Sequence, residues 1–271
     1  MVVYKFRDCS NIFHIDILKS GRLYCPSPTE LNDPYDCKIE LNFNDITLND
    51  IIVYMMNRDE TINKSQVETI LKFHKVLDNE NKINIYNLKK NILKGEVEFN
   101  YDKFNERYGI ISFSSDIYNI LLWSHYANNH KGFAIGFDGN SLGATPPIRE
   151  VIYTNEMPNL SPFTETFFNF IKTKLTKSYH WSYEKEWRLI LKLYDDELEK
   201  RFYYLNYEKS RNNIQPYLLI REIVFGCNAC DIDIENVINT FEKNELLRNP
   251  ITKYYKMELI KDTYNLKKKL I

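Results

Sequence analysis

The pattern of apolar and polar residues predicts a chain of short β-strands and helices on both sides of a longer helical stretch. Strands are predicted at residues 2–6, 22–28, 109–114, 132–138, 149–154, 184–193, 221–226 and 254–259. Helices are predicted at residues 11–21, 119–129, 163–178 and 233–244. The run 132–138 is apolar on both sides, which is typical of a central strand. These elements predict a sheet with helices packed against it.

Residues 45–107 have a different pattern. Apolar residues recur there at helical spacing in the stretches 46–57, 64–77 and 85–95. The sequence "NKSQVE" before the second apolar run is typical of a helix cap. We therefore predict the α+β class, with residues 1–271 as a single domain. In this prediction a mixed β-sheet forms the core, and residues 45–107 are a mainly helical insertion.

The composition is that of an ordinary globular protein, with 44% hydrophobic and 27% charged residues in a chain of 271. A formal net charge of −1 gives no general attraction to nucleic acid or to acidic membranes. No apolar run is long enough to span a bilayer, and the first residues lack a signal-peptide pattern, so we expect a cytoplasmic protein. The five scattered cysteines favour reduced thiols over a disulfide framework.

The stretch "EKEWRL", residues 184–189, separates into two faces when it is read as a strand. The apolar face carries Trp187, Leu189 and Leu191. The charged face carries Glu184, Glu186 and Arg188. The apolar face is predicted to join the core, and the charged face is either solvated or forms one side of a polar cleft.

Three polar stretches stand beside predicted strands: "SGRLYCPSPTELNDPYD", "ISFSSDIYNILLWSHYANNHKGFAIGFD" and "YEKEWRL". With the later "IVFG" strand, these motifs in this order resemble the bacterial domain of unknown function 2971 (DUF2971). The resemblance covers nearly the whole chain outside the helical insertion. Its most specific part is the long stretch that begins at "WSHYA" and ends at "GFAIGF".

The order of elements also resembles, remotely, that of ADP-ribosyltransferase-like domains. That resemblance implies a split β-sheet around a cleft that binds NAD as a substrate, with one catalytic glutamate on a late strand. It implies an NAD-consuming ADP-ribosyltransferase or NAD glycohydrolase that acts in phage defence or as a toxin. The expected partner is a small nucleotide, with the acceptor left open, and no metal is expected.

Glu186 is the carboxylate predicted to oppose the positive charge that develops when the nicotinamide–ribose bond breaks. His125 is the second predicted catalytic residue. The residues predicted to bind the nucleotide are Tyr4, Lys5, Ser112, Ser114, Trp123, Tyr126 and Arg188. Aromatic rings stack on the bases, and an arginine binds pyrophosphate through two parallel hydrogen bonds. We predict that Ser114, His125 and Glu186 line one pocket.

Other interpretations of the same residues stay open. Glu186 and Arg188 also suit a structural ion pair, and Trp123 and Tyr126 suit core packing. A metal-dependent nuclease would need Asp33, Asp36, Glu184 and Glu186 to converge on Mg²⁺, although "EWR" lacks the lysine of a restriction-type ExK pattern. A non-catalytic module that binds a ligand or a protein is the third alternative. The pair Cys227 and Cys230 is one CxxC without a second pair at zinc spacing.

Overall fold

The computed structural model describes residues 1–38, 42–93, 106–140, 147–161, 163, 172–193, 201–205 and 219–271. Within them, eight strands form one sheet, in the order β12-β11-β10-β4-β1-β3-β8-β5. These strands are β1 (Val2–Arg7), β3 (Tyr108–Ser114), β4 (Phe133–Asp138), β5 (Arg149–Glu150), β8 (Glu186–Lys192), β10 (Ile220–Phe225), β11 (Lys253–Leu259) and β12 (Leu266–Leu270). The pair β10 and β11 is parallel, and the other pairs are antiparallel. The sheet is therefore mixed.

Two small sheets accompany the main one. Strand β2 (Arg22–Tyr24) pairs with β9 (Phe202–Tyr204), and β6 (Ile152–Thr154) pairs with β7 (Thr176–Ser178). The described helices of the strand-rich regions are α1 (Ile12–Ser20), α5 (Ile120–Tyr126) and α6 (Asp231–Glu242). Helix α1 ends at Gly21, whose φ of +70° is a left-handed conformation that glycine adopts without strain. The predicted α+β class is confirmed.

The described part of the segment 45–107 is helical, as its apolar spacing predicts. It contains α2 (Leu48–Arg58), α3 (Lys64–Phe73) and α4 (Ile85–Asn87), which continues into a π-helical turn at Leu88–Ile92. Asn63 caps α3 and exchanges hydrogen bonds with Gln66. These helices share a buried apolar cluster of their own, formed by Ile51, Ile52, Val67, Leu71, Val76, Leu77, Leu88 and Leu93. Residues 94–105 lie outside the described residues, and the single-domain boundaries stay a prediction.

The central part of the sheet is open between β1 and β3. Strand β1 pairs with β4 along its whole length, and β3 pairs with β8 along its whole length. Between β1 and β3, however, the register consists of one pair, Tyr4 opposite Ser114. The Lys5 side chain occupies part of the gap, where its Nζ donates a hydrogen bond of 2.8 Å to the Ser112 carbonyl oxygen. The eight-stranded sheet is therefore continuous, but its pairing at this point is reduced to one residue pair.

Two predictions about strands need correction, and one predicted helix falls mostly on residues outside the described ranges. Strand 254–259 is not the last strand, because the lysine-rich end of the chain forms β12, where Lys268 pairs with Glu222 at 2.7 Å. Residues 149–154 form two short strands in different sheets. Most of the helix predicted at 163–178 lies outside the described residues; residues 172–175 are helical, and 176–178 form strand β7. No helix in the described ranges combines the length and the apolar character that crossing a membrane requires.

Candidate ligand-binding cleft

A cleft of about 200 Å³ lies where β1 and β3 diverge. Its sides differ in chemistry. Tyr4, Phe6, Leu122 and Tyr126 form an apolar and aromatic side. Lys5 and Arg7 of β1 form a cationic side, and three carboxylates with one lysine form a buried side of mixed charge: Asp36, Lys177, Glu184 and Glu186. Such a combination of apolar surface with a few converging polar groups is typical of small-molecule sites.

The alternation of side chains along the strands brings these groups together. Tyr4 and Phe6 share one face of β1 and join the apolar cluster that contains Trp123 and Leu122. Ser112 and Ser114 share the face of β3 that lines the cleft. The Tyr4 hydroxyl is fixed at its far end by a hydrogen bond of 2.7 Å to Glu222.

A buried network of ion pairs forms one wall of the cleft. The Arg188 guanidinium donates through Nε to Glu186 at 2.7 Å and through two nitrogens to Asp36 at 2.9 and 2.5 Å. The ammonium group of Lys177 bridges Glu184 at 2.6 Å and Glu186 at 2.9 Å. Every one of these five side chains is less than a tenth exposed. Buried ion pairs are stable only when every charge has a partner, because an unpaired buried charge costs several kcal/mol.

The network keeps Glu186 ionised. Burial by itself would raise the pKa of Glu186, but the charges of Arg188 and Lys177 outweigh burial and lower it to about 2. A hydrogen bond from Ser112 lowers the pKa further. Burial would lower the pKa of Lys177, yet the two glutamates raise it above its ordinary value. At neutral pH Glu186 and Lys177 are therefore both charged.

Arg188 does not serve as the pyrophosphate ligand that the sequence predicts. Its side chain is 0% exposed, and it also donates to the Lys174 carbonyl oxygen at 2.8 Å and to Glu186 Oε2 at 3.1 Å. All five N–H groups of the Arg188 guanidinium therefore already donate to acceptors within the protein. The prediction is wrong because Asp36, which comes from a distant turn, covers the face of Arg188 that a ligand would need.

Trp123 and His125 also lie elsewhere than predicted. Trp123 is 0% exposed, packs edge-on against Phe6 with ring centroids 5.0 Å apart, and donates its indole N–H to the Ile117 carbonyl oxygen at 2.7 Å. It cannot stack on a ligand in this structure. His125 is exposed on α5, outside the cleft lining. The prediction that it shares a pocket with Ser114 and Glu186 is wrong, because consecutive helical residues point about 100° apart.

The structure does bring Tyr4, Lys5, Ser112, Ser114, Tyr126 and Glu186 to one cleft. Tyr126 donates a hydrogen bond of 2.7 Å to Glu184. Burial, followed by the charge of Glu184, raises the pKa of Tyr126. The Ser114 hydroxyl donates to the Glu184 carbonyl oxygen at 2.6 Å and accepts from the Asp116 N–H at 3.0 Å. Ser114 therefore ties β3 to the turn before β8, and that role uses its hydroxyl.

Sequence reasoning missed Arg7, which lines the cleft beside Lys5. Within the described part of the chain, its buried Nε has no hydrogen-bond acceptor. Burial lowers the pKa of Arg7 to about 10, so the group is still charged at neutral pH. The sequence contained a signal for Arg7: Lys5 and Arg7 stand two residues apart in "VVYKFR" and so share a face of β1.

Three of the four carboxylates predicted for a nuclease, Asp36, Glu184 and Glu186, surround cations of the protein and not an empty point. Lys177 stands between Glu184 and Glu186, and Arg188 stands between Glu186 and Asp36. Cations of the protein thus occupy the positions where Mg²⁺ would have to bind. Among the residues that the structure describes, no group of three or more His, Cys, Asp or Glu is placed to hold a metal ion. The Cys227 and Cys230 thiols are free.

Comparison with known protein families gives a match to one part of the chain, which includes most of the buried ion-pair network. Residues 122–189 match the family described as protein of unknown function DUF2971. The predicted DUF2971 resemblance is confirmed there. The DUF2971 match includes Tyr126, Lys177, Glu184, Glu186 and Arg188, whereas β1 with its two cations lies outside it. No match is found among curated proteins or among solved structures.

Proposed function

We propose that the cleft binds the phosphate-bearing part of a small nucleotide and that NAD is this nucleotide. The observation that carries the proposal is the cationic side of the cleft. Arg7 has a buried Nε without an acceptor among the described residues, and Lys5 lies beside it on the same strand. A buried donor without a partner is costly, and a phosphate oxygen supplies the missing acceptor together with a compensating charge.

The aromatic side supports a nucleotide over a simple anion. Tyr4, Phe6 and Tyr126 line the same cleft as the two cations, and rings of this kind pack against nicotinamide or adenine. The cleft volume of about 200 Å³ is smaller than the roughly 300–1,000 Å³ of typical drug-sized sites. We therefore expect one end of NAD to occupy the cleft while the other end extends beyond it.

Cleavage of the nicotinamide–ribose bond is a second candidate function, favoured by the ionised carboxylate of Glu186 at the cleft wall. A fixed negative charge stabilises the oxocarbenium-like cation that forms as this bond breaks. Arg188 and Lys177 share that charge, so Glu186 acts on the cation less strongly than an unpaired carboxylate would. Transfer of ADP-ribose to an acceptor, and a role in phage defence or as a toxin, rest on the sequence resemblance.

Binding and cleavage are separable in one set of measurements. The purified protein is melted with increasing NAD, ADP-ribose or inorganic phosphate, and free nicotinamide is followed in parallel. A ligand that binds the folded state raises the melting temperature with concentration. We expect NAD and ADP-ribose to stabilise the protein far more than phosphate does. Equal melting curves with and without both nucleotides would overturn the proposal, and nicotinamide release would add the catalytic function.

A further inference from the structure

Two lysines line the cleft, and their surroundings are opposite. Lys177 forms ion pairs with both Glu184 and Glu186, and these carboxylates stabilise its charged form. Lys5 forms no ion pair with any carboxylate of the described residues, and its Nζ meets a neutral acceptor, the Ser112 carbonyl oxygen, at 2.8 Å. Its nearest charged neighbour along the strand is a second cation, Arg7. The fold therefore places an amine without a counter-charge at the open part of the sheet.

These surroundings favour the neutral form of the Lys5 amine. Burial, and then the charge of Arg7, lower the pKa of Lys5 to about 7, while Glu186, Cys25 and Glu184 act in the opposite direction. An apolar environment and an adjacent cation are the usual means by which proteins make a lysine nucleophilic. At pH 7 the neutral fraction is then on the order of 10³ times that of an ordinary lysine.

We propose that Lys5 is a nucleophilic amine that captures aldehydes or ketones bearing a phosphate group as a Schiff base. Its position in the cleft exposes the amine to a ligand, and Arg7 supplies the charge that selects an anionic one. The preference for phosphate rests on the proposed function, whereas the reactivity of the amine does not.

The reaction needs no oxidant or reductant. The nitrogen lone pair of Lys5 attacks the carbonyl carbon, and the electron pair of the C=O π bond moves to oxygen. The oxygen takes up one proton from the attacking nitrogen and one from solvent, and leaves as water. The protonated Schiff base that forms returns a proton to solvent when it becomes the neutral imine. The carbon–nitrogen double bond that remains holds the ligand at Nζ. Water is the single by-product, and hydrolysis reverses the reaction.

Pyridoxal 5′-phosphate is a suitable probe because it is an aromatic aldehyde with a phosphate. The full chain is incubated with it at pH 7, reduced with borohydride at successive times and mapped by mass spectrometry. Exposed Lys72 serves as the internal reference. Fragmentation of the first peptide separates Lys5 from the α-amine of Met1. We expect Lys5 to be labelled at least tenfold faster than Lys72, with a rate that falls below pH 7 as the amine becomes protonated.

A second aldehyde separates this proposal from the proposed nucleotide binding. Pyridoxal has the same ring but no phosphate. Its aldehyde closes onto its own 5′-hydroxyl as a cyclic hemiacetal, so labelling of Lys5 by each aldehyde is expressed relative to labelling of Lys72 by the same aldehyde. Faster labelling of Lys5 by the phosphate ester, with NAD as a competitor, supports both proposals. Fast and equal labelling by the two aldehydes supports the nucleophilic amine and contradicts the anion site. Labelling of Lys5 no faster than that of Lys72 overturns the amine, even where NAD still raises the melting temperature and so supports the nucleotide site.

Discussion

Replacement of Glu186 by glutamine should destabilise the folded protein, because Glu186 is the carboxylate shared by two buried cations. Its side chain is 3% exposed, and it accepts from Arg188 at 2.7 Å and from Lys177 at 2.9 Å. Glutamine keeps the shape and removes the charge. Arg188 is then left with Asp36, and Lys177 is left with Glu184.

The magnitude follows from the pKa of Glu186, which the folded protein lowers to about 2. The unfolded value is about 4.3, so the difference corresponds to about 3 kcal/mol at neutral pH. A lowered carboxylate pKa stabilises the folded state above the unfolded value, and this stability is lost as pH falls from about 4 through about 2. Loss of about 3 kcal/mol should lower the melting temperature by roughly 6–12 °C in a chain of this size.

Urea denaturation of the wild type and the Glu186→Gln variant at pH 7 measures this loss. Glu258→Gln is the matched control, because Glu258 also contacts two lysines, Lys269 at 2.9 Å and Lys267 at 3.4 Å, on the exposed β11–β12 surface. Ion pairs that are exposed to solvent in this way contribute little to the free energy of unfolding. Equal unfolding midpoints for the two variants would refute the reasoning that the buried charges around Glu186 depend on one another for the stability of the fold.

Two further changes test single parts of the cleft. Lys5→Met should stabilise the protein most below pH 7 and progressively less toward pH 10. The reason is that the folded pKa of Lys5, about 7, lies below the unfolded value, so the cost of its buried charge disappears as pH rises through that window. Melting temperatures of both proteins at pH 6 and pH 9 measure this effect, and a pH-independent difference would contradict it. Tyr126→Phe removes the donor to Glu184 and should cost about 1–2 kcal/mol in urea while NAD binding persists, because the ring remains. Loss of NAD binding together with unchanged stability would contradict that assignment.

Local patterns in the sequence predicted much of the sheet and one part of the site. The alternation in "EKEWRL" separated Glu186 and Arg188 from Trp187 and Leu189, and β8 has that arrangement. The two-residue spacing of Ser112 and Ser114 likewise places both on one face of β3. Such patterns are set by the two-residue repeat of a strand and need no knowledge of distant residues.

The rest depended on contacts between distant parts of the chain. Arg188 changed from a predicted ligand group to a buried structural group because Asp36, 152 positions away, packs on it. His125 and Tyr126 differ by one helical position, and the placement of α5 against β1 decides which of them reaches the cleft. The strand β12 was missed because its lysines are the polar residues of an edge strand, where lysine discourages pairing with other chains.

The most direct test of the nucleotide site is a calorimetric titration of NAD into the wild type and the Arg7→Gln variant. Arg221→Gln is the control, because it also removes one guanidinium, in this case from a partly exposed ion pair with Asp138. Loss of a charge-assisted hydrogen bond to phosphate should weaken NAD binding by roughly 10- to 100-fold in Arg7→Gln. Arg221→Gln should bind NAD like the wild type. Equal NAD affinities in all three proteins, or no binding heat in the wild type, would contradict the assignment of the cleft as a nucleotide site.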